Sequence, residues 1–420
     1  MTSLDIKVDY LARVEGEGGI VVKVVDGAVQ DIRVNIWEPP RFFQGFLVGR
    51  RYEDVPDITA RICGICPVAH LMASTQAIED AFGIVPSPQT ARLRTLLTLS
   101  QYIQSHTLHI YMLQLPDYLG YESAIAMASE YGPVVKRALR MKKVGNDFTA
   151  LIGGREIHPV TSVVNGFTRV PTKAELLEMR SKLTSIKEDA LATVKLVSSL
   201  KLPDFEPDTE HVALYDPDSY PVNGRRLRST KGLDIDVSEY RSHIKERQVA
   251  HSNTLHSYIE GRGSFLVGPL ARLNLNHERL SEDAQKALAS TELKLPCFNP
   301  FAGIVARAVE IVHAIDESVR IIDSLDPMPE PPGAVAPKAG TGYGVSEAPR
   351  GTLYHSYRFD SEGAVSKADI VAPTSHNLSN MEKDLWAFVP STLHMTQQEA
   401  ELKCEMVIRN YDPCISCSCH

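Results

Sequence analysis

Two Cys-x-x-Cys pairs stand near opposite ends of this 420-residue chain. Cys63 and Cys66 form the first pair in RICGIC, and Cys414 and Cys417 form the second in DPCISC. A Cys-x-x-Cys turn directs two sulfurs towards one ion, and thiolates favour zinc, copper(I), iron–sulfur clusters or nickel over magnesium or calcium. If one site holds both pairs, it must lie near the centre of the fold with the rest of the chain around it.

Several kinds of site could in principle use two such pairs. A zinc ribbon would place its second pair about 15–20 residues after the first, which this spacing does not match. A structural zinc joining the two ends, or two unconnected pairs, would still fit. A thioredoxin-like dithiol does not fit, because neither pair follows a βαβ pattern. The seven cysteines are too few for a disulfide scaffold. The residues favour a buried four-thiolate metal site and leave the metal undetermined.

Charge and hydropathy exclude some classes of protein. The net charge of -8 and the pI near 6.0 argue against a nucleic-acid-binding surface, which needs a basic face. No apolar run approaches the roughly 18 residues of a membrane span. The first residues, MTSLDIKVDYLARVEGEGG, do not resemble a targeting peptide. We therefore expect a cytoplasmic protein with no membrane span.

The pattern along the chain predicts an α+β fold that is mostly helical, with a long-helix bundle at its core. An N-terminal β-hairpin is expected around Asp26-Gly27, and a small β region is expected before the C-terminal motif. The predicted helices are one from Pro86 to about Gln114, one starting at the capping box of Thr172 and Glu175, and one with an apolar stripe over 301–325. Residues 202–236 and 326–349 are rich in Pro, Gly and Asp and are predicted to be irregular.

We expect one structural unit over residues 1–420. Its predicted parts are a β-rich N-terminal lobe (1–60), a helical body (61–325) with the irregular insertion 202–236, and a β/helix segment (326–420) that closes the metal site.

The two cysteine motifs resemble the paired signatures of nickel–iron hydrogenase large subunits, RxCGxCxxxH and DPCxxCxxH. The first ends here at His70, and the second runs from Asp412 to His420 with an additional thiol at Cys419. Further family landmarks occur in the family's order: RVEG at 13–16, SHTLHIY at 105–111, GGREIHP at 153–159, SEAPRG at 346–351 and APT at 372–374. The resemblance therefore extends over most of the chain and implies the large-subunit fold.

The resemblance implies a role for each cysteine of the two pairs. Cys63, Cys66, Cys414 and Cys417 would bind nickel, and Cys66 and Cys417 would also bridge to an iron that carries carbon monoxide and two cyanide ligands. Cys414 would in addition act as a local base for a proton from dihydrogen. Cys419 is interpreted as a packing residue rather than a ligand.

Residues around the metals are assigned by the same resemblance. Glu15 would pass protons from a nickel thiolate towards the surface, although taken alone it could be an exposed turn acid. Arg350 would stand over the open metal position. Pro349, Pro373, Thr374 and His70 would surround the iron ligands, with Thr374 hydrogen-bonded to a cyanide.

Two histidines and a serine of SHTLHIY are also notable. His106 and His109 resemble histidines that support the ligands, although each taken alone is more often structural. Position 105 is Ser105, where many membrane-bound relatives have an aspartate near the arginine. No Arg–Asp pair is therefore predicted from that position.

A hard cation, usually magnesium, is also implied near the C-terminus. Its ligands would be the His420 ring, a backbone carbonyl near Ile370 and the side chain of Gln44, which stands where the family has a carboxylate. An amide oxygen can bind magnesium but brings no charge, so weaker binding is expected.

The resemblance implies reversible cleavage of H2 to protons and electrons, with electrons leaving through partner subunits. No other cysteine set could hold an iron–sulfur chain, so an iron–sulfur small subunit is expected, with further flavin or iron–sulfur subunits. The alternatives are a non-catalytic large-subunit homologue and a zinc-stapled structural subunit of a redox complex.

Overall fold

The computed structural model describes residues 3–420. Residues 1 and 2, with which the predicted N-terminal lobe begins, lie outside the described residues. The α-helices are α1 Phe43–Leu47, α2 Val55–Ala60, α3 Pro67–Phe82, α4 Pro88–Leu108, α5 Leu115–Leu119, α6 Ala124–Gly153, α7 Lys173–Ser185, α8 Lys187–Ser198, α9 Tyr240–His243, α10 Pro269–Asn276, α11 Glu282–Ala289, α12 Gly303–Ser324, α13 Pro373–Phe388, α14 Gln397–Asn410 and α15 Ile415–Ser418.

The strands are shorter and gather in several small sheets. They are β1 Leu4–Val8, β2 Gly18–Val25, β3 Ala28–Ile36, β4 Ser162–Val163, β5 Gly166–Phe167, β6 Glu210–Leu214, β7 Asn223–Gly224, β8 Arg226–Ser229, β9 Asp234–Asp236, β10 Ile244–Arg247, β11 His256–Ile259, β12 Phe265–Leu266, β13 Gly340–Ala348, β14 Gly351–Phe359 and β15 Val365–Val371. The sheets have the orders β1-β2-β3, β12-β6-β8-β9, β15-β14-β13-β7, β10-β11 and β4-β5. Among residues 3–420, no helix is both long and apolar enough to cross a bilayer.

Long helices form the largest apolar core, as the sequence predicts. Helices α4, α7, α8 and α12 pack together, and α6 lies against α4. Helix α12 is buried along the stripe predicted for 301–325. Helix α4 ends at Leu108 and continues to Gln114 as a π-helical turn. The capping box at Thr172 and Glu175 is present at the start of α7.

The predicted N-terminal hairpin is also present, and β1 extends it to three antiparallel strands. The connecting residues Asp26 and Gly27 have φ values of 50° and 78°, the left-handed conformation that a two-residue hairpin turn requires. This sheet packs its buried face against α13 and α14.

The two segments predicted to be irregular are partly strands. Residues 202–236 include β6, β7, β8 and β9, and β13 occupies residues 340–348 of the second segment. Strand β13 lies directly on α3: a Cβ at Gly342 would be 2.0 Å from the Ala77 carbonyl oxygen, and one at Gly344 would be 2.1 Å from that of Ala73. These glycines therefore permit close contact between the strand and the helix. A glycine-rich composition alone does not distinguish such a strand from a loop.

Candidate metal centre

The two cysteine pairs meet at one buried point, where the start of α3 faces the C-terminal tail. All four sulfurs lie within 4.8 Å of one another. The distance between Sγ atoms is 3.3 Å for Cys63–Cys414, 3.2 Å for Cys66–Cys417 and 2.9 Å for Cys414–Cys417. These distances exceed the roughly 2.05 Å of a disulfide bond. All four side chains are buried, with at most 3% of the residue exposed.

The first pair is shaped by a turn that leads into α3. The backbone N–H groups of Ile65 and Cys66 donate to Sγ of Cys63 at 3.3 and 3.4 Å. Pro67 then occupies the first position of α3, where its missing N–H costs nothing. The turn therefore holds the Cys63 sulfur with two N–H donors, and α3 begins directly after Cys66.

The second pair is held by residues distant in sequence. The N–H of Cys414 donates to Oγ1 of Thr374 at 2.8 Å, and the N–H of Ile415 donates to the carbonyl of Glu15 at 3.0 Å. Gly16 makes the second contact possible, because a Cβ there would lie 2.6 Å from Cβ of Ile415. The tail is therefore fixed between the N-terminal strand region and the start of α13.

The sulfur group suits a metal ion on chemical grounds. Four sulfurs at about 2.3 Å from one ion would be separated by about 3.3–3.8 Å, so small side-chain movements would accommodate the ion. Burial raises the pKa of the Cys414 and Cys417 thiols, whereas hydrogen bonds from the other cysteines lower that of Cys63. Ionising all four thiols in this buried place requires a cation between them.

Glu15 lies beside the second pair and is half-buried. Its Oε2 accepts the N–H of Ser416 at 3.2 Å, and its carboxyl group also interacts with the Cys414 thiol. Burial raises its pKa, and the charge of Cys63 adds to the effect. Arg13 anchors this segment by donating to the Leu113 carbonyl at 2.8 Å. A carboxyl group is thereby placed against a sulfur of the four-cysteine group.

Arg350 occupies the turn between β13 and β14 and is buried. Its Nε donates to the Asp412 carbonyl at 2.8 Å, and its Nη2 lies 3.1 Å from Oδ1 of Asp412. The charge of Asp412 raises the pKa of Arg350, and the Cys414, Cys66 and Cys63 thiolates add to this rise. The contacts to Asp412, two residues before Cys414, hold the guanidinium at the start of the cysteine motif. Its Nη1 has no hydrogen-bond partner among residues 3–420. One donor is therefore free beside the sulfur group.

An Arg–Asp pair is thus present, although position 105 is a serine. The acid is Asp412, which stands in the DPC motif two residues before Cys414 and has a left-handed φ of 52°. No separate role was assigned to Asp412 from the sequence alone. Its position in the DPC motif was the one feature of the sequence that could have indicated a role at the site.

A buried ionic network supports the turn that carries Arg350, and sequence reasoning missed it. Arg272 donates to the carbonyls of Ala348 and Pro349 at 2.9 and 3.1 Å. Its Nε and Nη2 donate to Glu310 at 2.6 and 2.7 Å, and its Nη1 contacts Glu347 at 3.1 Å. These groups come from separate helices and strands, so no local pattern indicates their association.

The three predicted histidines lie in the interior. His106 hydrogen-bonds to Glu310 at 2.8 Å, and His109 bonds to the Arg409 carbonyl at 2.8 Å. His70 bonds through Nδ1 to His355 at 3.2 Å, while its Nε2 has no partner among the described residues. Burial lowers the pKa of His70 to about 3, so its ring is neutral. Cys419 is buried outside the four-sulfur group, with Sγ 3.0 Å from Oγ1 of Thr254.

The three residues predicted to hold a hard cation also come together. Nε2 of His420 lies 2.9 Å from the Ile370 carbonyl oxygen and 3.3 Å from the amide nitrogen Nε2 of Gln44. That amide nitrogen donates to the same carbonyl at 3.4 Å, so Gln44 presents its nitrogen here rather than its oxygen. Octahedral magnesium with bonds of about 2.1 Å separates neighbouring ligands by about 3.0 Å. The other His420 nitrogen, Nδ1, faces the Cys417 carbonyl. A neutral imidazole has only one N–H, so it can donate to only one of these two carbonyls. If Nδ1 donates to Cys417, a cation between Nε2 and the Ile370 carbonyl would bind both of these remaining acceptors.

Comparison with known proteins agrees with the geometry. The family model described as nickel-dependent hydrogenase matches residues 41–133 and 260–420. The chain belongs to the nickel-dependent hydrogenase family. It is 36% identical over 421 residues to sulfhydrogenase 1 subunit alpha of Pyrococcus furiosus, covering 99% of this chain and 98% of that protein. Sulfhydrogenase 2 subunit alpha of the same organism is 35% identical, with coverage of 99% and 98%.

A solved NAD+-reducing NiFe hydrogenase in the H2-reduced state has the same fold. It superposes with a TM-score of 0.89 at 26% identity and covers 99% of both chains. The predicted large-subunit fold is therefore confirmed, as is the assignment to the hydrogenases. The four-cysteine site of this hydrogenase fits a nickel–iron centre.

Proposed function

We propose that this chain is the catalytic large subunit of a nickel–iron hydrogenase, which interconverts H2 with two protons and two electrons. The observation that carries the proposal is the convergence of Cys63, Cys66, Cys414 and Cys417 from opposite ends of the chain, in a family that depends on nickel. The four sulfurs would hold nickel. Cys66 and Cys417, which are 3.2 Å apart, would also hold the iron with its carbon monoxide and two cyanide ligands. When bound, these metals polarise H2 and accept its electrons.

The protein's own groups would then move the proton. Cys414 would take it at Sγ, and Glu15 would take it from Cys414 at a carboxylate oxygen. The contact between these two side chains supports the order, as does the partial exposure of Glu15. The N–H of Ser416 keeps the carboxylate turned towards the tail.

Arg350 would polarise the substrate without exchanging a proton itself, because a guanidinium stays charged. Asp412 holds two of its nitrogens, and Nη1, which has no partner in the described part of the chain, would face the substrate. The Arg272 contact to the Pro349 carbonyl fixes the turn on which Arg350 stands. This geometry supports a preorganised cation, which costs little reorganisation during turnover.

The remaining residues would hold the ligands of the iron. Oγ1 of Thr374 already accepts the N–H of Cys414, so its hydroxyl hydrogen is available to donate to a cyanide. Pro373 starts α13 and sets the position of Thr374. Pro349 precedes Arg350 at the edge of the site. Nε2 of His70, which has no partner within residues 3–420, would be available to donate to a cysteine thiolate.

Magnesium would be bound by Gln44, Ile370 and His420. These groups lie between 2.9 and 3.4 Å from one another, and rotation of the Gln44 amide would present Oε1 to the ion in place of Nε2. The ion would tie the last residue of the chain to α1 and to the end of β15. It would thereby keep Cys417 in place.

Electrons would leave through an iron–sulfur small subunit and further flavin or iron–sulfur subunits. Two relatives are named as alpha subunits, which supports a multisubunit complex. Among residues 3–420, the four-cysteine group is the one set of cysteines that could hold a metal. We expect this complex to work in the cytoplasm.

Infrared spectroscopy and metal analysis of the purified complex test the proposal together. We expect nickel and iron bound to this chain, and absorption by metal-bound carbonyl and cyanide in a region where proteins are transparent. Zinc alone would instead support the structural staple. Nickel and iron without H2 turnover would support a non-catalytic homologue.

A further inference from the structure

A second group of metal-binding side chains lies outside the four-cysteine site. His251 precedes β11, His256 begins it, and Glu382 projects from α13. Their candidate ligand atoms all lie within 4.8 Å of one another. The proposed hydrogenase chemistry uses none of the three.

His256 is the unusual member of this group. Its exposed fraction is 0%, yet neither ring nitrogen has a hydrogen-bond partner among residues 3–420. Buried polar groups nearly always have a partner, so this ring lacks something that would satisfy it. Burial lowers its pKa to about 4, so the ring is neutral and has a lone pair for a metal.

The distance from His256 to Glu382 suits an atom placed between them. Nδ1 of His256 lies 3.8 Å from Oε2 of Glu382, which is too long for a hydrogen bond. Two ligands at about 2.0–2.2 Å from one tetrahedral ion are separated by about 3.4 Å. The pair therefore needs to close by only a few tenths of an ångström around an ion.

The third ligand can adjust to an ion. Nε2 of His251 lies 2.6 Å from Oε1 of Glu382, and this distance must lengthen when both atoms bind one ion. The side chains of His251 and Glu382 are 22% and 20% exposed, which leaves room for this movement and for a water ligand. The N–H of Val34 donates to the same Oε1 at 3.0 Å and steadies the carboxylate. Arg247, which pairs with His256 between β10 and β11, is a nearby positive charge that also lowers the pKa of His256.

We propose that His251, His256 and Glu382 bind one divalent ion of the zinc class, with water as the fourth ligand. Two imidazoles and one carboxylate form a donor set that zinc accepts in proteins. The ion would tie β11 and the loop before it to α13. That loop carries Thr254, whose Oγ1 contacts Cys419 and Ser418 of the tail. The ion would therefore brace the surface against which the C-terminal tail packs.

Metal counting on the purified complex tests this site. After dialysis against a chelator, addition of zinc and gel filtration, wild type should hold one zinc per large subunit more than His256→Gln or Glu382→Gln. Nickel per chain should be equal in all three. His394→Ala removes an exposed histidine elsewhere and should retain the zinc.

Cobalt(II) provides a second measurement that does not depend on the stability of one variant. Wild type and His394→Ala should develop the visible absorption of four- or five-coordinate cobalt, and His251→Gln, which alters a partly exposed ligand, should not. Wild type that takes up neither ion overturns the proposal. So does zinc that remains in His256→Gln, because it would then sit elsewhere, including the cysteine site.

Discussion

Replacing Arg350 by lysine tests whether a free guanidinium nitrogen beside the sulfurs drives turnover. Arg350 uses Nε and Nη2 to bind Asp412, at 2.8 Å to its carbonyl and 3.1 Å to its carboxylate. Nη1 is left without a partner among the described residues. A lysine ammonium keeps the charge and can pair with Asp412, but it cannot also place a donor where Nη1 lies.

The loss should resemble removal of one preorganised donor from a buried active site. Such a loss lowers kcat by about 10²–10³-fold, or about 2.7–4 kcal/mol. We therefore expect Arg350→Lys to reduce H2-dependent viologen reduction by that factor at saturating H2. Nickel and iron per chain should match wild type, because all four cysteines remain.

Arg94→Lys is a matched control. Arg94 is also buried and forms a two-nitrogen ion pair with Glu79, at 2.7 Å for each contact, but it does not contact the sulfur group. It reports the general cost of a buried Arg-to-Lys change and should keep most of the specific activity per nickel. Activity of Arg350→Lys within about twofold of wild type would refute the role given to Nη1. An equal loss in both variants would assign the effect to packing.

Four further predictions address the proton path, the hard cation, the buried network and the pH dependence. Glu15→Gln should stop turnover and hydrogen-isotope exchange with nickel and iron retained, and wild-type exchange in this variant would remove Glu15 from the path. Gln44→Glu should lower the magnesium dissociation constant by about tenfold or more, because a charged ligand replaces a neutral one. A tenfold change corresponds to only about 1.4 kcal/mol of binding free energy. If titration calorimetry gave an unchanged constant, the ion would bind elsewhere. Glu310→Gln should lower the free energy of unfolding by about 3–5 kcal/mol, because it leaves Arg272 buried without its main counter-charge; an unchanged urea midpoint would contradict this. Burial raises the pKa of Asp384 from 3.8 to about 7, so between these pH values the folded protein holds a proton that the unfolded chain has lost. The free energy of unfolding of wild type should therefore fall by up to about 4 kcal/mol as pH rises from about 4 to 7. Asp384→Asn should lack this fall and melt above wild type at pH 8, whereas parallel melting curves across pH would show that Asp384 is ionised throughout.

Local physical rules explain what could be read from the sequence. The hairpin at Asp26-Gly27 follows from the left-handed φ values its turn needs, and the start of α7 follows from a capping box completed within four residues. The buried stripe of α12 follows from helical periodicity. The four cysteines of the candidate site could be found because each pair is a local turn, and the distance between the pairs along the chain implied a central site.

Only the tertiary structure decided the features that depend on distant partners. Composition made residues 340–348 look like a loop, but Gly342 and Gly344 allow β13 to pack against the backbone of α3, a contact that exists only once the helix is in place. The carboxylate opposite Arg350 comes from Asp412, whereas position 105, where many relatives have the aspartate, is a serine and gave no basis for predicting the pair. The Arg272–Glu310 pair and the group formed by His251, His256 and Glu382 each join distant segments, and no sequence period links such residues. A local pattern fixes the conformation of a turn or the face of a helix, whereas the pairing of buried charges depends on how the whole chain packs.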